Sequence, residues 1–258
     1  PKDGMRWEDA IELAKRVSRT VDGVQYRGLD PYLNGRAINI ASPLSMRLVD
    51  SKTDKALIDE KWKMVFQMMM DFYSIPSNRP VKLTNAVKEF TAEMKTAMLP
   101  FYYNGILTHL ESAADLQWDV VQHPSYKEAP NSTNQVSYHQ FVVSRTSKHI
   151  PDAFKVISTA VHPDVQTASS KMGKIPVLNN PEIFKQFAVD MKLMKGKNVA
   201  GIFKSKNAPA AFPNKYDDIV LKELDSGFQN IFDGLDMNTA LRQAEERANA
   251  LILTEKAK

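Results

Sequence analysis

Apolar positions recur at helical spacing along much of the chain. Trp7, Ala10, Ile11, Ala14 and Val17 share one face of a helix predicted over 7–17. Glu8, Asp9 and Glu12 sit near its positive end, and Lys15, Arg16 and Arg19 near its negative end, as the macrodipole favours. A longer helix is predicted over 55–73, capped by Asp54, with Ile58, Trp62, Val65, Phe66, Met69, Phe72 and Tyr73 as its apolar stripe. Met68, Met69 and Met70 read as core filler, because an unbranched thioether packs irregular gaps. Residues 74–80 break that helix, and Thr84 is placed to cap the next. Pro151 suits the first turn of a helix over 148–157, and residues 162–166 end it and begin another that stops at 173–177. Helices over 182–195, 215–232 and 239–253 follow. Gly234 closes the second of these, and Asp236 or Asn238 caps the third.

Between the helices lie short apolar runs that read as strands, over 24–29, 97–101, 118–122 (stopped by Pro124) and 136–144. The stretch 90–124 organises the rest, since helical period gives way there to apolar strands punctuated by Gly105 and Pro124. Strands alternating with helices imply an α/β fold, a sheet covered by helices. In such sheets ligands bind beyond the carboxyl ends of the strands. Tyr102, Tyr103 and Asn104 come directly after such an end.

The same stretch is similar to the second-lobe core of the extracellular solute-binding proteins of ABC importers, family 1, which includes maltose-binding protein. Thr96-Ala97-Met98 fits that family's strand, and Trp118-Asp119-Val120-Val121 with Pro124 fits the strand that follows its ligand-facing turn. Residues 141–184 reproduce the family's order of a strand near Ser-Lys, a helix, and a Pro-Glu segment, which in the family crosses a hinge. The ending from Met237 to Asn249, with Ala240-Leu241, resembles its C-terminal helix. Where the family has a capping Thr, this chain has Arg6, which costs the first helix roughly 1 kcal/mol if nothing replaces the cap.

The resemblance implies a helix-rich periplasmic-binding-protein type II lobe, with a small mixed sheet flanked by helices. Residues 1–138 and 187–258 would form the second, C-terminal lobe. Residues 139–186 would be hinge-crossing elements of the first lobe, whose remainder, with its signal and lipid-bearing cysteine, is expected before Pro1. The implied function is capture of an extracellular solute, an oligosaccharide, between two lobes and its delivery to ABC permease membrane subunits. The implied location is the extracellular face of the cytoplasmic membrane, by a lipid anchor.

The 258 residues suffice for one large or two small domains. No apolar run approaches the ~20 residues that span a bilayer. The absence of cysteine excludes disulfides, thiolate metal sites and cysteine nucleophiles. Net charge is +4, but Lys and Arg are scattered among carboxylates, which argues for a solvated surface rather than a nucleic-acid partner. The five histidines form no i, i+4 ligand pair, so no metal site is expected. There is no Walker A loop, GxGxxG or GxSxG elbow, and no cofactor or catalytic residue is expected.

What remains is aromatic residues beside polar groups in loops, among them Tyr26, Tyr32, Trp118, Phe212 and Tyr216. Flat apolar faces with nearby hydrogen-bonding groups suit a sugar. Tyr102, Tyr103, Asn104, Tyr138, His139 and Tyr216 are candidate contacts on this ground. Asp30-Pro31-Tyr32 matches the family's sugar-touching acid-Pro-Tyr group, which adds Asp30 and Tyr32. Val220 and Leu221 stand near the family's stacking Trp-Tyr pair, which argues against maltose itself. The alternative is a carbohydrate-active cleft enzyme with paired carboxylates, drawn from Asp30, Asp119, Asp217 and Asp218 and held about 5 to 10 Å apart.

Overall fold

A computed structural model describes residues 1–32, 36–84, 86–136 and 140–258. The chain divides into two compact units, one made of Pro1–Val136 with Gly201–Lys258, the other of Ser137–Ala200.

In the first unit, α1 (Trp7–Val17) leads into a hairpin of β1 (Arg19–Val21) and β2 (Val24–Leu29). β1 is antiparallel to β2, and β2 is parallel to β3 (Thr96–Met98), which makes a small mixed sheet. α1 and β2 occupy the ranges the sequence predicts. They touch because position 28 is glycine: a Cβ there would lie 2.5 Å from the Ala14 Cα. Arg6 gives α1 no side-chain cap. Instead the Asp9 carboxylate accepts the Arg6 N–H at 3.0 Å, and the Ser125 carbonyl accepts the Trp7 N–H at 3.2 Å. These bonds satisfy the N–H groups of Arg6 and Trp7 at the helix start.

The short helix α2 (Ala37–Ala41) follows the β2 loop, and α3 (Glu60–Tyr73) begins later than predicted. Asp59, not Asp54, caps α3, accepting the Lys61 N–H at 3.0 Å; Asp54 has φ 54° in the preceding turn. The predicted stripe is buried from Trp62 to Tyr73, with Met68 added, while Ile58 lies half-buried ahead of α3. α4 (Val87–Thr91) has Ala86 rather than Thr84 at its N-cap. It precedes β3, and α5 (Tyr103–Glu111) follows β3.

The predicted strand over 118–122 does not form. That segment is fastened by individual bonds: the Asp3 carboxylate accepts the Gln122 N–H at 2.7 Å, and the Gln122 side chain accepts the Gly4 N–H at 3.0 Å. Only Ser125 reaches a bridge, parallel to Arg6. Farther on, β4 (Ser132–Thr133) pairs with β5 (Lys206–Asn207). α9 (Asp217–Phe232) and α10 (Met237–Lys256) close the unit. Gly234, with φ 106°, turns between them, and Asp236 caps α10 by accepting the Thr239 N–H at 2.9 Å. One core joins Trp7, Trp62, Phe66, Phe72, Val220, Leu224, Phe228 and Ile252.

The second unit holds α6 (Ile150–Ala160), α7 (Pro163–Lys171) and α8 (Pro181–Lys185). Residues 140–144 are not a strand. The helix expected over 182–195 stops after one turn. Ala188 takes φ 62°, and the N–H groups of Ala188 and Asp190 go to the carbonyls of Ser170 and Lys171 at 2.8 and 3.0 Å. The C-terminal carbonyls of α7 thus take donors that a continuing helix would have used itself. α6 has an apolar stripe but no buried residue; Phe154 is 65% exposed.

Candidate functional site

β2 and β3 run parallel with Leu29 opposite Met98, so both end at one edge of the sheet. The segments leaving that edge carry Asp30, Tyr32, Tyr102, Tyr103 and Asn104. The loop at Leu33, Asn34 and Gly35 lies outside the described residues, as do Tyr138 and His139.

Asp30 does not face this edge. It is 1% exposed and its carboxylate is occupied inside. One oxygen pairs with the Arg27 guanidinium. The other accepts the Tyr32 N–H at 2.8 Å and the Tyr73 hydroxyl at 2.9 Å. Arg27 also donates to the Asn78 carbonyl at 2.9 Å and to Glu89 at 2.7 Å. Burial and the Asp30 charge hold the Tyr73 phenol well above its ordinary pKa. The acid of the acid-Pro-Tyr string therefore shapes the loop from beneath, and its geometry offers no oxygen to a ligand or to a second carboxylate. A buried charge is tolerable only when it is paired and hydrogen-bonded, and Arg27 supplies the pair.

Tyr216 is likewise interior, 3% exposed, with Lys215 Nζ 4.8 Å and Lys256 Nζ 5.9 Å from its ring centroid. It anchors the start of α9 in the core and is not a stacking platform. Trp118 is half-buried and starts no strand.

Tyr32 is half-buried. Its ring stacks on Phe228 at 5.7 Å and 27°, and burial, reinforced by the Asp225 carboxylate, pushes its phenol up to about 12. Tyr102 is the N-cap residue of α5 and is 38% exposed. Its hydroxyl donates to Asn39 Oδ1 at 2.7 Å and bonds with the Asn134 side chain. Burial raises its pKa, and the Asn134 bond pulls it back. Burial also lifts Tyr103, to about 12. Asn104 is exposed on the first turn of α5. That turn is tight because Gly105 lies over Phe101, whose ring would be 2.9 Å from a Cβ.

The edge thus gathers Tyr32, Tyr102, Tyr103 and Asn104 with Asn39 and Asn134. The two asparagines were not legible in the sequence. Asn39 interrupts an apolar five-residue helix, which is a faint signal, and Asn134 arrives from a polar loop with none. At neutral pH the phenols are neutral, so the edge presents aromatic faces, hydroxyls and amides, and the charges beside Tyr32, Arg36 and Asp225, are paired with each other at 3.1 Å. A larger open hollow of about 600 Å³ lies away from it, between α4 and the end of α5, lined by Val87, Thr91, Ala92, His109 and Ser112. Among the described residues no group of His, Asp and Glu could hold a metal, and no helix is long and apolar enough to cross a membrane.

No family model and no curated protein matches the sequence. Solved structures do match the fold. The maltose/maltodextrin-binding domain MalE of Bdellovibrio bacteriovorus, bound to maltotriose, is 17% identical with TM-score 0.61, over 98% of this chain and 67% of its own. A cyclo/maltodextrin-binding protein complexed with maltotetraose is 15% identical with TM-score 0.64, over 100% of this chain and 66% of its own. An ABC substrate-binding protein from Listeria monocytogenes, in complex with cycloalternan, is 14% identical with TM-score 0.61, over 98% of this chain and 65% of its own. The chain has the α/β fold of the ABC solute-binding proteins, helix-rich with a small mixed sheet. It spans about two thirds of the length of these structures. All three are binding proteins, not enzymes.

Proposed function

We propose that this chain is the sugar-capturing component of an ABC importer, and that the first unit is one jaw of a two-lobed receptor. The observation that carries this is the fold match over nearly the whole chain to proteins solved with bound oligosaccharides. The edge beyond β2 and β3 supports it: neutral phenols and amides match a ligand rich in hydroxyls and apolar C–H faces. In this reading the jaws close about a hinge, and ligand contacts on both sides favour the closed state. Residues 139–186 belong to the opposite lobe. The exposure of Phe141, Phe154, Val156 and Met172 supports that assignment, since large apolar patches mark surfaces that pack against something. Display outside the cytoplasmic membrane on a lipid anchor, and delivery of the sugar to permease subunits, complete the proposal.

Isothermal calorimetry with the 258-residue chain tests it, using maltotriose, mannobiose and cycloalternan. Half of the contacts should give weak binding, in the millimolar range. A version extended by an opposing lobe should bind one of the sugars at least about a hundredfold tighter. Micromolar binding by this chain alone would refute the one-jaw assignment, and no binding by the extended form would refute the sugar receptor.

A further inference from the structure

Phe212 is 82% exposed, yet the loop that carries it is pinned. The Ser45 hydroxyl donates to the Pro209 carbonyl at 2.7 Å, and the Ala211 N–H reaches Gln135 Oε1 at 3.3 Å. On the far side the Asn214 N–H donates to Asp217 Oδ2 at 2.8 Å. Pro213 narrows the backbone choices of Phe212 itself. A free loop would fold its phenyl ring inward or let it roam; this one holds the ring out in water.

Phe212 lines a hollow of about 230 Å³ together with the apolar Ile38, Met46 and Leu48 and the polar Gln135 and Asp217. Among the described residues, the second oxygen of Asp217 takes no hydrogen bond. Burial, with Asp218 close by, raises the Asp217 pKa. Sites for drug-sized ligands measure about 300–1,000 Å³, so this hollow suits one ring rather than a chain. Ile38 shares helix α2 with Asn39, the partner of Tyr102, and Gln135 adjoins Asn134, so two lining residues are chain neighbours of residues at the tyrosine edge.

We infer that this hollow is a subsite for a single pyranose ring, with Phe212 stacking on its C–H face and Asp217 accepting from its hydroxyls. The inference rests on the sugar-receptor reading and deepens it. A carboxylate acceptor beside a phenyl face suits a neutral sugar and disfavours a uronate, whose charge would meet Asp217. Phe212 supplies an aromatic face that Val220 and Leu221, in the core side of α9, do not.

The test is a titration of the isotope-labelled full chain with D-glucose, D-mannose and ribitol, followed by amide chemical shifts. The pyranoses should shift Ala211, Gln135 and Asp217. Phe212→Ala and Asp217→Asn should each weaken pyranose binding about tenfold, the cost of one stacking or hydrogen-bonding contact. Ribitol has no ring face, and its binding should not depend on Phe212. Phe212 lies in solvent, so its replacement leaves the fold intact, which the spectrum itself verifies. Shifts confined to Tyr102, Tyr103 and Asn104, or unchanged affinity in Phe212→Ala, would overturn the subsite and leave the receptor reading standing. Equal dependence of ribitol on Phe212 would overturn the ring-face role. An absence of shifts with every sugar would overturn both.

Discussion

The side chain of Asn78 stands beside Gly28 where a neighbouring strand would otherwise be. Its Oδ1 accepts the Gly28 N–H at 2.7 Å and the Leu29 N–H at 3.2 Å, and its Nδ2 donates to the Leu29 carbonyl at 2.9 Å. A further bond ties Nδ2 to the Phe72 carbonyl at 2.8 Å, at the end of α3. β1 pairs only with the first half of β2, so the second half needs this substitute on that side. Asn78 is fully buried. Asn78→Ala should cost about 3 kcal/mol, because each orphaned buried group costs about 1–3 kcal/mol and relaxation recovers part. Urea denaturation measures it. A loss below about 1 kcal/mol would show that β2 finds other partners.

The Arg27–Asp30 pair leads to a second expectation. Breaking a buried pair by removing one charge typically costs about 3–5 kcal/mol, but Glu89 remains bonded to Arg27. Asp30→Asn should therefore destabilise the fold by about 3 kcal/mol and shift Tyr32 amide resonances, since the Tyr32 N–H loses a charged acceptor. A surface role would give a change within about 0.5 kcal/mol. Near-wild-type stability in Asp30→Asn would return Asp30 to the list of ligand contacts.

What the sequence disclosed, and what it did not, follows the range of the forces involved. α1, β2 and the buried stripe of α3 were readable because periodicity and local charge set them. The caps of α3 and α4 were misplaced locally, by a few residues, and the larger failures turn on distant partners. Residues 118–122 have a strand's composition, but the Gln122 N–H is taken by the Asp3 carboxylate and the Gln122 side chain by the Gly4 N–H, instead of a ladder. The helix expected over 182–195 had the right period, and was ended by carbonyls of Ser170 and Lys171 that no local rule foresees. Asp30 and Tyr216 have the residue types of a sugar site, yet Arg27 pairs the first inside and the core takes in the second. Tyr102 and Asn104 could be placed at the sheet edge because the order of strand, turn and helix is itself local.

His123 provides a pH test. Its ring meets Trp7 edge-on at 5.2 Å, Nδ1–H donates to the Pro124 carbonyl at 2.9 Å, and Nε2 has no partner among the described residues. Burial pushes its pKa down to about 4, against the slight upward pull of the Pro124 bond. In the unfolded chain a histidine titrates near 6.5. The unfolded state thus binds the proton first. His123 contributes its full stability above about pH 6.5 and loses it as pH falls toward 4. The loss between pH 7.5 and 4.5 should be about 2 kcal/mol. In His123→Gln, which keeps a donor for the Pro124 carbonyl but cannot titrate, stability should fall by that much less over the same interval. Parallel pH profiles for the two proteins would place the proton elsewhere.

The last prediction concerns α6, whose stripe of Ile150, Phe154, Ile157 and Val161 has the spacing of a packed face while α6 itself buries no residue. Amphipathic helices gain most of their stability from burying such a face, and here Ile150, Phe154 and Val161 stay 47%, 65% and 42% exposed. Phe154→Ser should change stability by no more than about 0.5 kcal/mol, the usual range for a surface change, and should reduce binding of an apolar dye such as ANS. In a form extended by an opposing lobe, the same substitution should cost about 2–3 kcal/mol, since a large apolar side chain would then be buried. The comparison is a pair of denaturation curves. An equal and small effect in both forms would mean that the opposite lobe does not cover α6, and residues 139–186 would have to be reassigned.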